Sequence, residues 1–128
     1  MPSNNPRLLL VDDDPLIIQA MSGMLNDFPD QWFAMSGETA LSLAKEVVPD
    51  LILLDANLPG MTGFDVCEAL KADPTLASIP VIFVTSHDAP ALKLDALRLG
   101  ATDYITKPLI AADLQAHVRA QLQAIGHT

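Results

Sequence analysis

Three unbroken apolar runs constrain this chain more than any other feature: Leu8-Leu9-Leu10-Val11, Leu51-Ile52-Leu53-Leu54 and Val81-Ile82-Phe83-Val84. Each is four residues long, does not alternate with polar residues, and is bounded by turn or charge signals. A strand with one wet face alternates. A strand that is apolar at every position is covered on both faces, as in a parallel sheet. Two weaker strands are expected at Trp32-Phe33-Ala34-Met35 and Tyr104-Ile105-Thr106.

Between these runs the periodicity becomes helical. Ile17, Ala20, Met21 and Met24 recur at i, i+3, i+4, i+7, as do Ala40, Leu43, Ala44 and Val47. Leu114, Val118, Leu122 and Ile125 make a third stripe. A short helix is expected from Phe64 to Lys71, stopped by Asp73-Pro74, and another from Pro90 to Leu99, ended by Gly100. Asp14-Pro15 reads as an N-cap followed by proline at the first helical position. The alternation predicts five βα units in an α/β doubly wound parallel sheet, with right-handed crossovers and helices on both faces. The length suits one domain, residues 1–128, with a core over about 7–122 and frayed ends before Arg7 and after Gln123.

Composition narrows the function classes. No apolar run approaches the roughly 20 residues of a membrane span. The first residues, Met1 to Arg7, lack the basic and long apolar regions of a secretion signal. One cysteine, Cys67, excludes an internal disulfide and a multi-cysteine zinc site. A cytoplasmic location without a membrane partner is therefore expected. Seven basic residues stand against 16 acidic ones, for a net charge of −9, so direct nucleic-acid binding is not expected.

In an open parallel sheet, functional groups gather beyond the carboxyl ends of the strands. Here the first run is followed by Asp12, Asp13 and Asp14, and the second by Asp55 and then Ala56-Asn57-Leu58-Pro59-Gly60. Thr85 and Ser86 follow the third, and Lys107-Pro108 follows the last strand. Two carboxylates about 4 Å apart repel by roughly 4 kcal/mol at an effective dielectric near 20. A hard divalent cation relieves that repulsion and keeps sites for a phosphate oxygen, and Lys107 adds positive charge. The same grouping suits phosphoryl transfer with one carboxylate as nucleophile. Asp55, ending the central run before a loop with Pro59, Gly60 and Gly63 able to bend around a ligand, is the best candidate. Thr85 can donate to a phosphoryl oxygen and Lys107 can pair with another.

Val11-Asp12-Asp13-Asp14-Pro15, Pro49-Asp50-Leu51-Ile52-Leu53-Leu54-Asp55, Pro59-Gly60-Met61-Thr62-Gly63, Val84-Thr85-Ser86 and Gly100-Ala101-Thr102-Asp103-Tyr104-Ile105-Thr106-Lys107-Pro108 together resemble the receiver domain of two-component response regulators. The resemblance runs from about Arg7 to Leu122. It implies a flavodoxin-like (βα)5 single domain with strand order 2-1-3-4-5. It implies that Asp55 accepts a phosphoryl group from a phosphohistidine of a sensor histidine kinase or phosphotransfer protein. The implied metal set is Asp13 and Asp55 directly, Asp12 mainly through water, and the backbone carbonyl of Asn57, around Mg²⁺ with Mn²⁺ as a substitute. Thr85 and Lys107 would bind phosphoryl oxygens. Thr85 and Tyr104 would form a switch that remodels the face made by the Pro90–Leu99 helix, the Tyr104–Thr106 strand and the C-terminal helix, for a downstream effector domain or protein. The Lys107–Pro108 peptide is expected to be cis, and a homodimer is left open. Such a protein catalyses only its own phosphorylation and dephosphorylation.

Each residue also has a structural reading. Asp14 is expected to cap a helix, His117 and His127 to be solvated, and Asp95, Asp103 and Asp113 to be solvated or capping. Two rival functions follow. A non-phosphorylated interaction module of the same fold has no physical need for clustered carboxylates. A flavin-type cofactor binder would want a Gly/Ser/Thr-rich phosphate loop after the first strand, where this chain has three aspartates.

Overall fold

The computed structural model describes residues 5–86, 98 and 100–126. Five parallel strands form one sheet in the order β2-β1-β3-β4-β5. They are β1 (Arg7–Val11), β2 (Asp30–Ala34), β3 (Leu51–Asp55), β4 (Val81–Thr85) and β5 (Asp103–Thr106). The described helices are α1 (Pro15–Met24), α2 (Gly37–Val47), α3 (Gly63–Ala72) and the C-terminal helix α4 (Ala111–Ala124). The doubly wound sheet and its strand order are those expected from the sequence. The expected helix over Pro90–Leu99 lies outside the described residues, apart from Arg98.

The apolar runs sort themselves by the two-residue period of a strand. Leu9, Val11, Ile52, Leu54, Val81 and Phe83 face α2 and α3, where Ala40, Ala44, Val66, Cys67 and Leu70 complete one core. Leu8, Leu10, Leu51, Leu53, Ile82 and Val84 face α1 and α4, where Ile18, Met21, Leu114, Val118 and Leu122 complete the other. Every residue of β3 and β4 is buried, which is why those runs carry no polar alternation.

The edge strand begins earlier than its hydrophobic pattern suggests. β2 starts at Asp30, which pairs with Arg7, and ends at Ala34 opposite Val11, so Met35 falls outside it. Asp30 and Gln31 are polar because an edge strand is only half covered, so apolar patterning does not mark its start. At the start of α1, the Asp14 side chain accepts from the Leu16 N–H and Pro15 follows, as expected. α2 has Ser36 as N-cap and ends at Val48, whose φ of 50° is left-handed although the residue is β-branched.

No basic residue lies in the last turn of α1. Its end is held by amides instead. Gln31 Nε2 donates to the carbonyls of Leu25 and Phe28, each at 2.8 Å, and Ser22 Oγ donates to Gln31 Oε1 at 2.7 Å. Gln115 of α4 donates to the Met24 carbonyl at 2.8 Å. These contacts satisfy carbonyls that a helix end leaves without intrahelical partners.

Candidate functional site

The carboxyl ends of four strands converge at one margin of the sheet. Asp12 follows β1 directly and is buried at 1% exposure, with its N–H on the Ala34 carbonyl. Its Oδ1 accepts from the Asp14 N–H at 2.9 Å, a short turn that leaves Oδ2 directed at the Lys107 ammonium. Asp55 is the last residue of β3 and is 4% exposed. Asp13 is exposed. Carboxylate oxygens of Asp12, Asp13 and Asp55 all lie within 4.8 Å of one another.

Lys107 joins this group from the loop after β5. Its Nζ is 3.0 Å from Asp12 Oδ2 and 3.8 Å from Asp55 Oδ2. Its backbone N–H donates to the Thr85 carbonyl at 2.7 Å, extending the pairing of β4 with β5 by one step. The peptide from Lys107 to Pro108 is cis, as expected. One ammonium among three carboxylates leaves the pocket negative. Burial pushes the Asp12 carboxyl above the usual carboxylate range, against the Asp14 N–H and the Lys107 ammonium, which draw it down.

Asn57 and Thr85 close the pocket. The Asn57 N–H donates to Asp55 Oδ1 at 3.0 Å, and Asn57 Nδ2 donates to Thr85 Oγ1 at 3.2 Å. Thr85, at the end of β4, is fully buried. The structure therefore brings together Asp12, Asp13, Asp55, Asn57, Thr85 and Lys107. Tyr104 stands apart, pairing with Phe83 inside the sheet and buried in the core facing α2 and α3. Asp95 and His127 lie outside the described residues.

One expectation needs correction and another qualification. Gly63 was expected to lend flexibility to the loop after Asp55, but it is the first residue of α3. A Cβ there would lie 2.2 Å from the Asp55 carbonyl oxygen and 2.8 Å from the Ala56 Cα. Gly63 permits close packing of helix on loop, while Gly60, with φ of 71°, makes the turn. A solvated His117 is the expectation, and it holds in part: the side chain is 32% exposed, but its ring also lies between Asp103 and Asp113. It belongs to the apolar stripe's polar flank, where a sequence pattern cannot show a contact with a strand 14 residues away.

Sequence reading also missed the Thr62 capping box. Thr62 Oγ1 accepts from the Asp65 N–H, and Asp65 returns a bond to the Thr62 N–H. The spacing Thr-x-x-Asp was a readable signal for it. The box starts α3 just where the helix must seat against Asp55.

The pocket's donor set is all hard oxygen: three carboxylates within reach of one ion. That set fits a hard divalent cation and offers nothing to a soft one. The acidic cluster is of the kind found in receiver-domain metal sites. Among the described residues no helix is long and apolar enough to cross a membrane.

Comparison with known proteins agrees with this geometry. The family model for the response regulator receiver domain matches residues 8–119. The response regulator PleD of Caulobacter vibrioides is 41% identical over 115 residues, covering 89% of this chain and 25% of PleD. The DNA-binding response regulator MtrA of Mycolicibacterium smegmatis is 37% identical over 124 residues, covering 96% of this chain and 53% of MtrA. The chain thus spans a quarter to about half the length of these relatives. Among solved structures, the chemotaxis protein CheY4 of Vibrio cholerae superposes with a TM-score of 0.87 at 29% identity, covering 92% of this chain and 99% of that one.

Proposed function

The chain belongs to the family of response regulator receiver domains, and on that premise we propose that Asp55 is its phosphoacceptor. The observation that carries this reading is the grouping of Asp12, Asp13, Asp55 and Lys107 around one pocket. A carboxylate oxygen of Asp55 forms a bond to phosphorus as the phosphorus–nitrogen bond of a phosphohistidine donor breaks, and the imidazole leaves with the electron pair. The donor is a sensor histidine kinase or phosphotransfer protein. Asp55 is suited to this by its place at the strand end, with Asn57 N–H on Oδ1 and Lys107 near Oδ2. Lys107 and Thr85 bind the phosphoryl oxygens, and the loop from Asp55 to Gly63 orients the acceptor.

Asp12, Asp13, Asp55 and the Asn57 carbonyl would hold Mg²⁺, with Mn²⁺ able to replace it. Such a cation supplies charge neutralisation for the carboxylates and the transferred group. After transfer, Thr85 and Tyr104 bias the β5–α4 side of the domain between two pre-existing arrangements, and a downstream effector domain or protein reads the difference. The chain acts on itself and turns over no outside substrate.

The test is incubation of wild type and Asp55→Asn with acetyl phosphate and Mg²⁺, followed by intact mass analysis. One hydroxylamine-labile phosphoryl adduct is expected on the wild type alone. An unmodified wild type with metal bound would support a non-phosphorylated interaction module instead. Equal labelling of both proteins would place the acceptor elsewhere.

A further inference from the structure

His117 lies outside the carboxylate pocket, on α4. Its ring stands between two carboxylates. Nδ1 faces Asp103 Oδ2 at hydrogen-bond distance, and Nε2 is 3.4 Å from Asp113 Oδ1. Asp103 is the first residue of β5, and its other oxygen accepts from the Tyr104 N–H at 2.8 Å. Asp113 is in the first turn of α4, one helical turn before His117. One imidazole therefore links the start of β5 to the start of α4.

The neighbouring charges are otherwise engaged. Arg119, also on α4, is 2.8 Å from Asp27. Lys107, beyond β5, is held by Asp12 and Asp55. α1 packs on α4 and contains no charged residue, and β3, which also touches α4, has Asp55 as its one titratable residue. Among the described residues, the ion pairs of His117 are those with Asp103 and Asp113.

An ionised carboxylate only accepts hydrogen bonds, and a neutral imidazole has one donor and one acceptor nitrogen. A neutral ring in this position meets one carboxylate lone pair to lone pair. The imidazolium donates from Nδ1 to Asp103, and its charge pairs with Asp113 at 3.4 Å. We infer that His117 is a proton-operated clasp between β5 and α4: protonated, it ties Asp103 to Asp113, and on losing a proton it lets go of one of them. The histidine charge changes in the range where most other side chains do not. The arrangement of this side of the domain then follows pH as well as the state of Asp55. Only the regulatory meaning of the clasp rests on the proposed function, because the clasp itself does not involve the acceptor pocket.

The experiment is a nitrogen-15 NMR titration of the full, unphosphorylated chain between about pH 5 and pH 8. Both ring nitrogens of His117 are expected to be protonated at the acid end. As pH rises, the proton leaves Nε2, and the Tyr104 amide and the amides of the first turn of α4 shift with the ring's own midpoint. His117→Gln removes this common response, while labelling of Asp55 by acetyl phosphate is unchanged. Asp113→Asn removes the α4 response and keeps the coupling of the ring to Tyr104. The inference is overturned if the ring titrates while the Tyr104 and α4 amides do not follow. It is also overturned if His117→Gln keeps the response. Loss of Asp55 labelling in the wild type with the coupled shifts intact would defeat the proposed function and leave the clasp standing.

Discussion

Gly63 and Gly23 are both helical glycines, and replacing each with alanine should move stability in opposite directions. At Gly63 a methyl carbon would sit 2.2 Å from the Asp55 carbonyl oxygen, 2.8 Å from Ala56 Cα and 3.0 Å from the Asp55 carbonyl carbon. All three are backbone atoms, so no side chain can swing aside. Relief requires α3 or the Asp55–Ala56 peptide to move by about 1 Å, and overpacking of this kind costs about 1–3 kcal/mol. With no flexible neighbour to absorb it, Gly63→Ala should lie at the upper end, about 2–3 kcal/mol. For a domain of this size, roughly 3–5 °C of melting temperature accompanies each kcal/mol. At Gly23, near the end of α1, a methyl would meet nothing within 4 Å. There only the helix preference acts, and Gly23→Ala should stabilise by about 0.5–1 kcal/mol. Urea unfolding with an unchanged slope reads both values. Acetyl phosphate labelling of Gly63→Ala should also slow by at least about tenfold, because the acceptor's own peptide is displaced. A Gly63→Ala protein as stable and as quickly labelled as wild type would refute the steric account. So would two substitutions that shift stability in the same direction.

Asp12 should cost the metal-free protein stability at neutral pH. Burial raises its carboxyl in the folded state, so the fold prefers the neutral acid, and stability from this group is lost as pH rises through that raised value. Metal-free Asp12→Asn should therefore be more stable than wild type at pH 7, with the gap closing as pH falls towards the ordinary carboxylate range, measured by thermal melts across pH. Lys71 Nζ donates to the carbonyls of Ala77 at 3.1 Å and Ile79 at 2.9 Å. Lys71→Met strands both acceptors and should destabilise by roughly 1–3 kcal/mol in urea unfolding. Val48 holds a left-handed φ of 50° at an exposed helix end, and Val48→Asn should stabilise by about 1 kcal/mol in the same assay.

Much of this molecule could be read from its residues. The runs at Leu8, Leu51 and Val81 are legible because two-sided burial removes alternation, and the residues after them must then share the strand ends. That topological rule is enough to bring Asp12, Asp13, Asp55, Thr85 and Lys107 to one margin. What escaped reading depends on contacts across the chain. The start of β2 is set by pairing of Asp30 with Arg7, not by hydrophobicity. Gly63 reads as a loop glycine until the Asp55 carbonyl is seen against it. His117 reads as a surface residue because its partner Asp103 belongs to a strand whose position relative to α4 no periodicity encodes.

The fastening of α1 has a further consequence. Gln31, Ser22 and Gln115 are uncharged, so their hydrogen bonds between the edge strand, α1 and α4 should be indifferent to ionic strength and to mild acid, unlike the exposed Arg119–Asp27 pair beside them, which salt screens. Lys107 and His117 hold the β5 side through charges, so a change of pH reaches these contacts first: acid discharges the carboxylates that hold Lys107, and loss of a proton releases His117. The domain is thus fastened largely by neutral amides at the end of α1 and by titratable charges beside β5, so a change of pH should act on it from the β5 side first.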